Sequence, residues 1–405
     1  MNTPSEKTWA YLLGTLVVCL LMVLGRFAFH QSPIPVQPPP KVETPKPSTQ
    51  REPPAIEPSA ESTNNAIATE TDSSTVTNAA DLYRQAFALY DALTDDEKGI
   101  LQYWGTNVDA SVEAALCEKI RPICDLMHRA GAANNCVWTE DISLQTVLRA
   151  RLPALTISPT AIWSAAHCRS RDPAGATDDL IGLLELGLDI APSAMTSSFD
   201  DIRFQHNVTS YIQENLGLFH GGDAQRLIIA LQDSAYDDAP IRALRAEAEM
   251  EDRQASELII KSANEANVDG EPGASVLADR SVNITQHQQL SDLQQELADA
   301  LASQSDDSYE AWQQHATELQ KTNPLVLGVV RNDESFMDSV QEAEINRALV
   351  AAGLALAQEG AGALQTHPDP SSGQPFLYTE TPVGFQLQST YQLNGKPMTM
   401  QFKSR

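Results

Sequence analysis

From Asn78 onward, apolar residues recur every three to four positions, the period of an α-helix with one buried face. In "NAADLYRQAFALYDALTDDEK", Leu82, Ala86, Leu89, Tyr90 and Leu93 share such a face. Asn78 stands where an N-cap belongs, and Asp81 lies in the first turn, where a carboxylate meets unpaired backbone N–H groups. Thr94 before "DDE" predicts the cap of a second helix. Over 108–130 the period continues through Val112, Leu116, Ile120, Ile123 and Met127. Further helices are predicted near 141–151, 158–169, 177–190, 199–217, 223–235, 240–265, 281–303, 306–321 and 335–359. The turn signals "DPAGATDD", "FHGGD", "NVDGEPG" and "KTNP" separate them. No segment repeats at a fixed period, so a regular solenoid is not expected. The fold class is therefore mainly α: an irregular array of antiparallel helix hairpins over 78–340.

The pattern changes in the C-terminal unit, 341–405. "INRALVAAGLALAQEG" is an apolar helix with Gly360 and Gly362 placed to cap its end. "HPDPSSGQP" cannot continue a helix, because its prolines lack N–H donors. "FLYTE" and "GFQLQSTY", separated by "TPVG", then alternate as strands do, and "KPMTMQFK" follows the turn signal "NG". A small antiparallel β element is predicted, capping the helical array. A helix followed by such a sheet resembles in shape the C-terminal element of pseudopilin-like proteins.

Ahead of the helices, "WAYLLGTLVVCLLMVLG" (9–25) is uncharged and apolar, long enough with the residues after Arg26 to cross a bilayer as one helix. It has no A-x-A-like cleavage site, so residues 1–30 are expected to be an uncleaved signal anchor. Residues 31–77 are Pro-rich ("SPIPVQPPPKVETPKP") and then polar, the composition of an extended, disordered stalk. One crossing is expected, with the body outside the cytoplasm.

Charge narrows the partners. The chain carries −27, and residues 78–405 alone hold 22 basic and 47 acidic residues. Nucleic acid is disfavoured, because phosphate contacts need Lys and Arg. Solubility accounts for most of the charge. The expected partners are the membrane, through the N-terminal helix, and a protein of the envelope.

Cys117, Cys124, Cys136 and Cys168 are an even set, compatible with two disulfides in an exported body. On one helix Cys117 and Cys124 would lie seven residues, about 10.5 Å, apart, beyond disulfide reach. Pairing of 117 and 124 with 136 and 168, in either order, is expected, unless Pro122 breaks the helix. No CxxC pair exists, so zinc is not expected.

Searches for HExxH, GxSxG, GxxxxGK[ST] and GxGxxG after a strand are empty, and no catalytic residue, cofactor or metal is assigned. Asp369, Ser371 and Gly373 have a faint calcium-loop spacing but too few carboxylates. Glu247 and Glu251 lie one turn apart on what reads as a solvated face. Glu247 with Arg203 or Arg245 as a buried pair is the other reading. Trp138 and Trp163 are expected to anchor the core.

"NAADLYRQAFALYDAL", "NNCVW" (134–138) and "DPSSGQPFLYTETPVGFQL" together resemble an uncharacterised family of membrane-anchored bacterial proteins typical of planctomycete- and verrucomicrobium-like genomes. The C-terminal match rests on Asp369, Pro370, Gly373, Pro375, Tyr378, Gly384 and Phe385. Ser371 replaces the family's usual aromatic, and its Gly/Asp-rich tail is lacking. The resemblance implies location, a bacterial inner membrane with the body in the periplasm, and architecture rather than chemistry.

The expected function is a membrane-tethered extracytoplasmic scaffold or partner-binding module. The alternatives are a hydrolase-like envelope enzyme with a cleft between helix pairs, and a secretion- or pilus-associated component.

Overall fold

The structure, a computed structural model, describes residues 78–403 apart from 104, 106, 134, 139–143, 269–273 and 304–305. The expected signal anchor and Pro-rich stalk lie outside the described residues. Among the described residues no helix is long and apolar enough to cross a membrane.

Eleven α-helices precede three strands among the described residues. They are α1 Ala79–Asp91, α2 Asp95–Leu101, α3 Ala110–Gly131, α4 Leu144–Trp163, α5 Pro173–Ile190 and α6 Met195–Glu214. Then come α7 Gly222–Leu231, α8 Ala235–Val268, α9 Ala274–Ser303, α10 Asp306–Leu319 and α11 Pro324–Glu359. A π-helical turn, Ser164–Cys168, extends α4. The caps follow the expected chemistry: Asn78 Oδ1 accepts from Ala80 N–H, and Thr94 and Glu97 form a capping box. On α1, Leu82, Ala86 and Tyr90 are buried as expected, as is Leu93 just beyond its end, whereas Leu89 is exposed. On α3, Leu116, Ile120, Ile123 and Met127 face the core and Val112 does not.

Several helices begin earlier than periodicity predicts. Prolines at first-turn positions start them rather than stop them: Pro173 opens α5, and Pro324 opens α11 behind the cap Asn323. The segments expected at 141–151 and 158–169 form one helix. It runs through Pro153 and Pro159, held by the buried Ile157, Ile162 and Trp163.

Two apolar cores result. The larger gathers α1, α3, α4, α5, α6, α7, the C-terminal half of α11 and the sheet around residues such as Tyr83, Ile120, Trp163, Phe204 and Leu349. The smaller joins α8, α9, α10 and the N-terminal half of α11 through Leu244, Leu293, Leu297, Trp312 and Phe336. Trp312 Nε1 donates to the Leu293 carbonyl at 3.0 Å, so this core closes without an orphaned indole N–H.

The sheet is antiparallel, in the order β1 (Leu377–Thr381), β2 (Gly384–Leu393), β3 (Lys396–Lys403). Asn394 and Gly395 both take positive φ, which suits the two-residue turn joining β2 to β3. Phe385, Leu387, Met400 and Phe402 form its buried face. Phe385 and Phe402 stack at 5.0 Å, and the Phe402 ring seats directly on Gly353 of α11. A methyl group at 353 would come within 2.5–2.9 Å of three ring carbons. Gly353→Ala is therefore expected to cost about 1–3 kcal/mol by overpacking. Thermal unfolding of Gly353→Ala beside Phe402→Leu and the double variant tests this. If the double variant loses the full sum of the two, the contact is not the cause.

Candidate functional site

Two of the stretches read together in the sequence meet in space, 59 positions apart in the chain. The Asn78 side chain brackets Val137, donating to its carbonyl and accepting from its N–H, both at 2.8 Å. Ala79 N–H donates to the Asn135 carbonyl at 2.9 Å. The Trp138 indole stacks on Tyr83 and Phe87, its backbone carbonyl accepts from Arg84, and its Nε1 donates to the Asp189 carbonyl at 2.9 Å. Tyr83 Oη donates to the Asp189 carboxylate at 2.9 Å, and the Cys136 thiol also bonds to that carboxylate. Burial lifts Asp189 to about 6, despite the opposing pull of those two hydrogen bonds. Glu185, one turn earlier on α5, is pushed to about 7 by burial and by the Asp189 and Asp233 charges. This cluster docks the loop after α3 onto α1 and α5.

The cysteines divide. Cys117 and Cys168 are bridged, with Cα atoms 5.5 Å apart, tying α3 to the π-turn. This is one of the expected pairings, but the second expected bridge is not formed. Cys124 is a free thiol, buried beside Ser164 and pushed up by burial, and Cys136 is occupied by Asp189. The helix α3 passes through Pro122 unbroken, so Cys117 and Cys124 do share one helix. Around the same turn, His128 Nε2 lies 2.9 Å and Arg169 Nε 3.7 Å from the fully buried Asp179 carboxylate, and His167 stacks on Trp163.

The C-terminal motif is a loop lock. Asp369, buried, receives Ser371 N–H and Oγ at 3.1 and 2.7 Å, and Thr390 N–H and Oγ1 at 2.7 and 2.8 Å. Ser389 Oγ stands 3.0 Å from both carboxylate oxygens. Burial opposes ionisation, but the donors from Thr390 and Ser371 outweigh it and hold Asp369 below the usual carboxylate range. Every contact to the carboxylate comes from a donor, which is the wrong set for calcium. Pro370 follows Asp369 in a tight turn, and Gly373 takes φ +65° while donating to the Asp369 carbonyl at 2.8 Å. The irregular register of β2 against β3 near 389–391 presents Ser389 and Thr390 to the loop. Pro375 and Tyr378 are exposed, Gly384 ends the β1–β2 turn, and Phe385 enters the core. The motif pins the sheet and leaves β1 uncovered.

Glu247 is neither on a solvated face nor paired with Arg203 or Arg245. Its Oε1 accepts from Met195 N–H at 3.1 Å, capping α6 from another helix, and its Oε2 accepts from Gln294 at 3.1 Å. α6 has no side-chain cap of its own, because Ala194 fills that position. Burial pushes Glu247 to about 7. Glu251 binds His287 Nδ1 at 2.6 Å, and Arg245 pairs with Asp299.

A buried polar group lies between α6, α8 and α11. Arg347 is buried, donates to Gln205 Oε1, and lays its guanidinium 4.1 Å from the Tyr236 ring centre. Gln205 Nε2 donates on to Asp201 at 2.8 Å. Burial raises Asp201 to about 7, against the pull of Arg347 and Gln205. Asp201 Oδ1 presses on Gly187 of α5, where no side chain would fit. Arg347 Nε, Tyr236 Oη and Asp201 Oδ1 have no protein partner. The free space beside them is about 10 Å³, room for one water and too little for an organic substrate.

Comparison with family models, with curated proteins and with solved structures finds no match to this chain. The likeness of the C-terminal motif to membrane-anchored bacterial proteins thus stands on the quoted residues alone.

Sequence reasoning missed the Arg347 group. Its signal was present: Arg347 is the one charge in the largely apolar stretch 345–358, and Asp201 and Gln205 stand four apart on α6. Among the described residues no cluster of three or more His, Cys, Asp or Glu is arranged to hold a metal ion.

Proposed function

We propose that this chain is a partner-binding module, held outside the cytoplasm by its N-terminal segment and presenting a helical hairpin to a protein of the envelope. The observation that carries the reading is the distal part of α8 and α9. Contacts between Arg245 and Asp299, Glu247 and Gln294, Ala248 and Ser291, and Glu251 and His287 set an antiparallel register. That register places Val282 within about one helical turn of Leu258 and Ile259. None of residues 256–261 or 281–289 is buried. Ile259, Ile260 and Val282 are 47%, 60% and 53% exposed, an apolar band across both helices of an otherwise strongly acidic body. Such a band, rimmed by charge, is what an interaction site looks like. The Cys117–Cys168 disulfide supports an oxidising compartment.

A photo-reactive side chain at position 260, in native membranes, tests the reading. One envelope protein is expected in the adducts, and Ile259→Lys is expected to abolish them without moving the unfolding temperature. Adducts that survive Ile259→Lys, or that form equally from exposed Thr399, would sink it. An envelope enzyme remains the second reading, favoured only by the perturbed Asp201 beside Arg347. The space there weighs against it.

A further inference from the structure

We propose that the free edge of β1 is a self-association surface, pairing antiparallel with β1 of a second copy of this chain about a two-fold axis at Thr379. The two edges of the sheet are treated differently. β3 contains Pro397, which offers no N–H, has Lys396 and Lys403 at its ends, and has the Gln401 carbonyl taken by Gln213 of α6 at 3.0 Å. These are devices that blunt an edge against pairing. β1, "LYTET", has no proline, no lysine and no bulge, pairs regularly with β2 along its whole length, and is exposed almost throughout. Its residues favour strands, and Leu377 and the neighbouring Val383 are 60% and 52% exposed.

Self-complementarity identifies the occupant. An antiparallel pair centred on Thr379 sets Thr379 against Thr379 of the copy, Tyr378 against Glu380, and Leu377 against Thr381. Opposed threonines are a favourable cross-strand pair, and each Glu380 meets a tyrosine hydroxyl rather than a second carboxylate. Within one chain Tyr378 Oη already reaches Glu380 at 3.3 Å, so the two groups are compatible. Tyr378 and Glu380 lie on the face that carries the buried Leu387 and Phe385, yet both are exposed. Open space therefore lies beneath β1, which a second sheet needs on the same side. A strand of five residues buries little area, so the association is weak. It also joins two bodies of like charge, so salt should strengthen it.

The test uses the full chain carrying Thr379→Cys, mildly oxidised, with linked peptides identified by mass spectrometry. A 379–379 disulfide is expected. Thr399→Cys, on the guarded face of β3, is expected to give no linkage to itself. Thr379→Lys opposes two ammonium groups at the axis and should lower wild-type self-association, by sedimentation, by about tenfold or more. Raising salt from about 50 mM to about 500 mM should increase that association. Linkage of residue 379 to the chain's own residues 1–77, linkage to a different protein, or equal linkage from Thr379→Cys and Thr399→Cys would each overturn the proposal. So would a single monomeric species at every concentration. Because Thr379 is exposed, circular dichroism of Thr379→Lys should match wild type, which separates lost pairing from lost fold.

Discussion

Stability is expected to fall as pH rises from about 5 to about 8, by of the order of 5 kcal/mol. Four carboxyl groups carry the effect. Glu185, Asp201 and Glu247 are raised to about 7 and Asp189 to about 6, each mainly by burial. In the unfolded chain all four titrate near 4. Between the two ranges the folded chain holds protons that the unfolded chain has released, so each rise in pH favours unfolding. A displacement of one pKa unit is worth about 1.4 kcal/mol for a single group, and these groups lie in both the α1–α5 dock and the α6 cap. Asp369 has the opposite sign: its hydrogen bonds stabilise the charged form, and that contribution is lost as pH drops through its lowered value. The optimum should therefore sit near pH 5. Urea midpoints at pH 5, 6.5 and 8 measure the slope, and Glu247→Gln, which keeps the acceptor for Met195 N–H and cannot ionise, should flatten it. A midpoint that is constant, or higher at pH 8, contradicts the assignment.

Reduction of the Cys117–Cys168 bridge is expected to lower stability by about 2–4 kcal/mol. The bridge closes a loop with a sequence separation of 51, and the chain-entropy cost released to the unfolded state on opening such a loop is about 4 kcal/mol. The loop contains most of α3, all of α4 and the π-turn, so the effect should be felt across the larger core. Alkylation with and without reductant should find Cys117 and Cys168 blocked until reduction. Unfolding of wild type with reductant should then match Cys168→Ser, while Cys124→Ser keeps its sensitivity to reductant. An unfolding temperature indifferent to reductant would show that the bridge contributes nothing.

Much of the architecture was legible because local rules governed it. The faces of α1 and α3, the caps at Asn78 and Thr94, the stop at Gly360 and the "NG" turn each follow from a few adjacent residues. Two helices start earlier than periodicity predicts, at Pro173 and Pro324, because a proline's missing N–H costs nothing in a first turn. The disulfides were half legible. Helical geometry excluded one pair, but only the fold could show that Asp189 occupies Cys136 and that Cys124 lies buried beside Ser164. Glu247 was misread because its partner is the backbone of another helix, which no pattern within α8 reveals. The same holds for Arg347, whose stacking on Tyr236 and bond to Gln205 join three helices distant in sequence.

The division into two apolar cores has a dynamic consequence. α11 is continuous for 36 residues, with Phe336 in the smaller core and Ile345, Leu349 and Leu356 in the larger. Sub-global opening can then release the distal part of α8 with α9, α10 and the N-terminal half of α11 as one foldon while the larger core stays closed. The apolar hairpin band belongs to that looser layer. A ligand bound there would act as a thermodynamic brake on local unfolding, and its affinity would be reduced by whatever fraction of molecules is open at any moment.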